Sequence, residues 1–104
     1  MAKYLLAYRG GEMAETEAEQ QAVMEQWMSW FGSLGAAVAD AGAPFGPSKQ
    51  IASDGSATDG GAAALTGYSI IEADSLDAAA SQAQGCPVLG SGGTVDVYEA
   101  MAMG

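Results

Sequence analysis

The chain has 104 residues, of which 49% are hydrophobic and 15% charged, and this length fits one domain. Thirteen acidic residues against three basic ones give a net charge of −10, which argues against nucleic-acid partners and against anionic membrane surfaces. The complete lack of histidine excludes histidine-dependent catalysis and most transition-metal sites. The single cysteine excludes an intrachain disulfide and a multi-cysteine zinc site. We therefore expect neither a metal nor a cofactor.

The compartment is predicted from the N-terminus and from Cys86. The first apolar run is too short for a signal peptide and ends at Arg9. No stretch approaches the roughly 20 apolar residues of a membrane helix. A lone cysteine without an export signal predicts a cytoplasmic protein. Because Cys86 has no basic neighbour in sequence that would stabilise a thiolate, we expect a packed, inert thiol.

The first predicted elements are a strand and a long helix. Residues 3–8 have strand composition, with apolar side chains on both faces. Thr16 is positioned as a helix N-cap, and Glu19 follows it at capping-box spacing. Gly35 ends the helix. The predicted apolar stripe consists of Val23, Trp27, Trp30, Phe31 and Leu34, widened by Met24 and Met28.

The middle of the chain carries weaker signals. Residues 36–43 fit a second strand, which the proline-rich run 44–47 interrupts. Residues 48–53 fit a short third strand anchored by Ile51. The run 54–64 contains mostly Gly, Ala, Ser, Thr and Asp, and we predict that it is an exposed connection.

The second half contains a strand, a helix and a final strand. Residues 67–73 form the clearest strand there, and Asp74 or Ser75 caps the helix that follows. Gly85-Cys86-Pro87 ends this helix, and residues 93–100 form the last strand. The buried stripe of the second helix is predicted to consist of Leu76, Ala79, Ala80 and Ala83.

This order of elements predicts an α+β fold. It is β-α-β-β-α-β with a weak middle hairpin, the ferredoxin-like arrangement, in which an antiparallel sheet carries both helices on one face. The strands 3–8, 67–73 and 93–100 nevertheless place apolar residues on both faces, whereas a solvated face would alternate with polar residues. We therefore expect a second copy of the chain to cover the other face, as a homodimer.

Three segments carry a family resemblance. They are KYLLAY at 3–8, GYSIIEADSLDAA at 67–79 and GGTVDVYE at 92–99. The chain resembles the YCII-related family, in particular the branch marked by an Asp-Gly-Pro-Phe motif. The resemblance spans nearly the whole chain, residues 1–104 as a single domain, and implies a dimeric α+β barrel in which two sheets close face to face.

Two departures from this family bear on function. Some relatives carry a His–Asp pair proposed as an active site, and this chain has no histidine. The motif survives only as Asp59-Gly60, followed by Gly61-Ala62. The proposed chemistry of the family is therefore not carried over to this chain residue by residue.

Three kinds of side chain are candidates for a ligand site. Asp40 is the one acidic residue in an apolar strand, so burial could raise its pKa, although the pattern favours an edge or loop-facing aspartate without a role. The guanidinium of Arg9 is predicted to pair either with an anionic group of a ligand or, equally, with a nearby glutamate. The aromatic face of the first helix is either core or one wall of a pocket. Glu72, Asp96 and Glu99 are interpreted as surface charge.

Two functional hypotheses follow. In one, the protein is a non-catalytic homodimeric accessory or ligand-binding module. In the other, it is a small-molecule enzyme with a helix–sheet pocket for an anionic or aromatic metabolite. The residues predicted to line that pocket are Tyr8, Arg9, Trp27, Asp40, Asp59 and Tyr68.

Overall fold

The computed structural model describes residues 2–10, 16–60 and 65–101. These ranges contain two helices and six strands. The elements are β1 (Ala2–Arg9), α1 (Glu17–Leu34), β2 (Val38–Pro44), β3 (Lys49–Ile51), β4 (Ala57–Asp59), β5 (Leu65–Ala73), α2 (Leu76–Ala83) and β6 (Thr94–Ala100). Short 3-10 turns lie at Gly35–Ala37 and Pro87–Ser91.

The main sheet is antiparallel and has four strands in the order β2-β5-β1-β6. Two of the four strands precede β3 and β4 in the chain, and two follow them. This order is that of a ferredoxin-like α+β fold, so the predicted fold class is confirmed. The first strand of the chain is thus internal to the sheet, between β5 and β6.

The core lies between the helices and one face of the sheet. On β1, Tyr4, Leu6 and Tyr8 point to this face, and all three are buried. Both helices contribute to the same cluster, which confirms that they share one face. The buried members of the cluster are Tyr4, Leu6, Tyr8, Trp30, Ile71, Ala73, Ala79, Ala83, Cys86 and Val88.

The apolar stripe of α1 is narrower than predicted. Trp30 is buried, and Trp27, Phe31 and Leu34 pack against the core. Met24 and Met28, however, are 64% and 68% exposed, so their predicted place in the stripe is wrong. They lie on the flank of a helix that contacts the sheet with one side only. Because α2 also contacts the sheet with one side only, Leu76 is 47% exposed.

Both helices begin at the predicted caps. The side chain of Thr16 accepts a hydrogen bond from the Glu19 amide at 3.1 Å. Ser75, rather than Asp74, caps α2 by accepting from the Ala78 amide at 3.1 Å. These contacts satisfy backbone donors that a helix start leaves without a partner, and they fix where each helix leaves the sheet.

The middle of the chain differs from the prediction. The second strand begins at Val38, because residues 35–37 continue α1 as a 3-10 turn. The third strand is short and pairs with β4, outside the main sheet. The predicted connection 54–64 therefore contains a strand, Ala57–Asp59, and this part of the prediction is wrong.

Neither helix covers the second face of the main sheet, which we call the open face. Leu5 and Ile70 on this face are partly exposed, and Tyr98 is 52% exposed. The protein measures 45 × 43 × 18 Å, and its smallest dimension corresponds to one sheet and one layer of helices. The open face includes Lys3, Leu5, Ala7 and Arg9 on β1, Tyr68, Ile70 and Glu72 on β5, and Asp96 and Tyr98 on β6.

A close approach between β2 and β5 generates the first prediction. Gly42 has φ +77°, and a Cβ there would lie 1.7 Å from the Tyr68 carbonyl oxygen. Gly42→Ala should lower the free energy of unfolding by about 2–4 kcal/mol, because it combines strain with a backbone clash.

The matched control for this change is Gly32 in α1. A Cβ at Gly32 would meet no heavy atom within 4 Å. Gly32→Ala should therefore raise the free energy of unfolding by about 0.5–1 kcal/mol. Urea unfolding at one fixed protein concentration measures both values. A neutral Gly42→Ala would contradict the approach of the two strands.

Candidate functional site

Tyr8 lies on the helix-covered face and its hydroxyl belongs to a buried chain of hydrogen bonds. The hydroxyl donates to Ser69 Oγ at 2.8 Å, and Ser69 Oγ donates to the Ala41 carbonyl at 2.7 Å. Burial raises the pKa of Tyr8, and the Ser69 hydrogen bond opposes that rise only in part. The chain ties β1, β5 and β2 together, so the phenol is already engaged in holding the sheet.

An aromatic cluster joins Tyr8 to α1. The ring of Trp27 meets Tyr8 edge-on at 5.0 Å, and it meets Trp30 edge-on at 5.8 Å. The indole of Trp30 donates to the Gln82 carbonyl at 3.2 Å, which connects the cluster to α2. Rings in edge-to-face contact fill the space between helix and sheet that a pocket would need. The cluster therefore serves as core at this point.

Arg9 follows Tyr8 and points to the open face. Its Nε donates to Asp96 Oδ2 at 2.8 Å, and both side chains are 39% exposed. The hydrogen bond to Asp96 raises the pKa of Arg9. The sequence leaves open whether Arg9 pairs with an anionic ligand or with a nearby glutamate. In the structure its partner is an acidic residue of the protein itself, an aspartate on β6. An anionic ligand would compete with Asp96 for this guanidinium.

Tyr68 also lies on the open face. Its ring stacks on Phe45, with 5.6 Å between the centroids and 19° between the planes. Phe45 directly follows β2, and its amide donates to the Thr66 carbonyl at 2.9 Å. The pair forms an aromatic patch, 44% exposed at Phe45, where the chain leaves the main sheet.

The two acidic candidates are exposed. Asp40 lies on the edge strand β2, where its Oδ1 accepts from the Gly42 amide at 2.8 Å. This matches the alternative of an edge aspartate. Asp59 pairs with Lys49 at 2.9 Å, and their side chains are 90% and 70% exposed. Such surface pairs contribute little to stability.

The Asp59-Gly60 remnant closes the β3–β4 hairpin. Asp59 is opposite Lys49 in the β3–β4 register, and the Gly60 amide donates to the Ser48 carbonyl at 3.1 Å. The next two residues, 61–62, lie outside the described ranges. The remnant thus has a structural role at the base of the hairpin.

The structure separates the six predicted site residues. Tyr8 and Trp27 are in contact below α1, whereas Arg9 and Tyr68 lie on the opposite face of the sheet. Asp40 lies on the edge strand, and Asp59 lies on the hairpin. They do not line one common pocket between helix and sheet. That they bind a ligand stays a prediction.

Sequence reasoning missed three contacts of these residues. Ser69 is the buried acceptor for Tyr8, Asp96 is the partner of Arg9, and Phe45 covers Tyr68. Ser69 carried a signal, since it is a polar residue that alternates with apolar ones on the buried face of β5. The other two depend on strand register, which single-chain patterns do not specify.

Cys86 is a packed thiol, as predicted. It is 3% exposed and belongs to the core cluster. Burial raises its pKa to about 11. Since the thiolate is the reactive form, the thiol is inert near neutral pH.

An open depression of about 760 Å³ lies between α1 and the turn that follows α2. Sequence reasoning did not find it, although Ala22, Ser29 and Ser33 form a run of small residues at helical spacing. The depression is broad and shallow rather than enclosed. Its lining consists of Ala22, Glu25, Gln26, Ser29, Trp30, Ser33, Gly85 and Pro87.

Neither a metal-binding cluster nor a membrane-spanning helix is found among the described residues. Across residues 2–10, 16–60 and 65–101, no group of three His, Cys, Asp or Glu side chains could hold a metal ion. In the same ranges, neither helix has the length and apolar character required to cross a bilayer.

The chain matches the model of a known protein family. The family model of the YCII-related domain matches residues 2–103, nearly the whole chain. No curated protein matches the sequence.

The buried hydrogen-bond chain predicts unequal effects of two substitutions. Ser69→Ala should lower the free energy of unfolding by about 2–3 kcal/mol, because it leaves the Tyr8 hydroxyl and the Ala41 carbonyl without their partner. Tyr8→Phe should cost about 1 kcal/mol, since Ser69 keeps its bond to Ala41. The double variant should cost less than the sum. Additive costs in a double-mutant cycle by urea unfolding would contradict the chain.

The raised pKa of Cys86 predicts a stability change at high pH. The folded value of about 11 exceeds the ordinary 9.0, so the folded state favours the neutral thiol. This contribution is complete below about pH 9 and is lost as pH rises toward 11. The stability of the parent relative to Cys86→Ala should therefore fall by about 2 kcal/mol between pH 8 and 11. Urea unfolding at both pH values gives the difference, and a constant difference would contradict the prediction.

Proposed function

Because the chain belongs to the YCII-related family, we propose that it acts as a non-catalytic homodimeric accessory or ligand-binding module. Its subunits meet through the open faces of their sheets. The observation that carries this proposal is the open face itself, where Leu5, Ile70 and Tyr98 are exposed to different degrees on a surface that neither helix covers. Apolar patches of this kind mark interaction sites.

The accessible area supports a second copy as the occupant. The single chain exposes 7070 Å². A compact monomer of this mass is expected to expose about 5,400 Å². The excess of about 1,700 Å² per subunit compares with about 800 Å² that each partner buries in an interface of standard size. The surplus area is thus sufficient for a large, stable dimer interface.

Two such sheets pack well face to face. Stacked sheets lie about 10 Å apart, and apolar side chains of the two inner faces fill the gap. With α1 and α2 outside, the result is an α+β barrel of two subunits. The charges on the face occur in opposite-sign pairs: Arg9 forms an ion pair with Asp96, and Lys3 is opposite Glu72 in the β1–β5 register, so burial of the face would bring opposite charges together.

The non-catalytic part of the proposal rests on what the reactive groups do in the fold. The Tyr8 hydroxyl donates to Ser69, and Arg9 is bound to Asp96. Cys86 is buried with its pKa raised to about 11. In each case a contact or burial within the fold engages the group that a reaction would need. A protonated, buried lone thiol also suits the reducing cytoplasm, which we propose as the compartment.

The alternative function is a small-molecule enzyme acting on an anionic or aromatic metabolite. It would require the cluster of Tyr8, Trp27 and Trp30, which packs as core, to part around a ligand between helix and sheet. A thermal-shift screen of small acidic and aromatic compounds distinguishes the two functions. Enzyme-like binding would be lost in Trp27→Ala and retained in an open-face variant.

The proposed dimer predicts the effect of a charge on the open face. Light scattering should give twice the chain mass for the parent at micromolar concentration. Ile70→Glu should give a folded monomer, because each interface would have to bury two unpaired carboxylates. Met28→Glu, at a 68% exposed site on α1, is the control and should stay dimeric. A monomeric parent would refute the proposal.

A further inference from the structure

The β3–β4 hairpin projects from the rest of the protein. Each of its strands has three residues, and β3 pairs with β4 alone, in a sheet separate from the main one. Every residue from 43 to 59 is exposed, and Ile51 is 63% exposed. Among the described residues, this is the longest continuous exposed segment.

An isolated hairpin of this size is marginally stable in water. Its own contacts are local: the Gly60 amide donates to the Ser48 carbonyl at 3.1 Å, and the Asp54 carboxylate accepts from the Ser56 amide at 2.9 Å. Ile51 contributes an apolar, β-branched side chain to a strand that has no core beneath it. The hairpin therefore lacks the apolar burial that would hold it in one position.

We propose that the hairpin is an arm that packs against the partner subunit of the homodimer, with Ile51 as its anchoring side chain. This inference rests on the proposed dimer. The occupant is a second copy because the arm begins on the surface that the partner would cover. Phe45, three residues before Ser48 at the base of the arm, stacks on Tyr68 of the open face.

Area agrees with this assignment. The hairpin contributes to the excess of about 1,700 Å² over a compact monomer, which is more than a standard interface needs from one partner. Its charged side chains are engaged within the arm. Lys49 pairs with Asp59 at 2.9 Å, and the Asp54 carboxylate accepts from the Ser56 amide at 2.9 Å.

The experiment compares Ile51→Ser with Met28→Ser. Both replace an apolar side chain that is more than 60% exposed in the single chain, so neither should unfold it. The dimer dissociation constant is measured by sedimentation of a dilution series. In a two-fold dimer, Ile51→Ser removes two buried isoleucines, so the constant should rise at least about 100-fold. Met28→Ser should stay within about threefold of the parent.

Hydrogen exchange gives a second measure on the full chain. Amides of residues 49–59 should exchange slowly in the parent dimer and rapidly in the Ile70→Glu monomer. A dimeric parent whose affinity survives Ile51→Ser, with fast exchange at 49–59, would overturn the arm and leave the dimer intact. Equal weakening by both serine variants would also overturn it. A monomeric parent would overturn the arm and the proposed function together.

Discussion

The alternation of side chains along β1 determines which residues can act together. β1 lies between β5 and β6, so each of its side chains faces either the helices or the open face. Tyr8 enters the core, and Arg9, the next residue, points to the opposite face. A site that includes both side chains from one chain would have to span the sheet. The eight residues of β1 therefore contribute both to the core and to the surface proposed for a partner.

Two of the three basic residues are paired with aspartates. Arg9 pairs with Asp96 across β1 and β6, and Lys49 pairs with Asp59 across the hairpin. The first pair joins an edge strand to the middle of the sheet and is less exposed than the second. Its position on the open face means that a partner subunit would change its surroundings more than those of Lys49. The two pairs differ in what a dimer would do to them.

The sequence was sufficient for the fold class because its strongest signals are local. Capping by Thr16, the stripe around Trp30 and the alternation in β5 each depend on residues close in the chain. The two-faced strands also predicted a sheet with one face free of helices. These patterns indicate where elements begin and which sides they bury, and they are enough to order a β-α-β-β-α-β chain.

The contacts of the candidate site could not be predicted in the same way. Arg9 meets Asp96 across 87 positions of sequence, and Tyr8 meets Ser69 across 61, so both depend on strand register. The strand Ala57–Asp59 escaped prediction because its residues, Ala-Thr-Asp, have weak strand preference and no buried partner. Met24 and Met28 show the limit of helical periodicity, which gives the direction of a stripe and not its width.

The position of β1 has a consequence for how the chain folds during synthesis. β1 precedes the other described elements, but both strands that pair with it, Leu65–Ala73 and Thr94–Ala100, lie in the second half of the chain. The apolar side chains of β1 therefore lack their partners until this second half has been synthesised. Contacts between such distant segments make folding slow, and an unpaired apolar strand is prone to aggregate in the meantime.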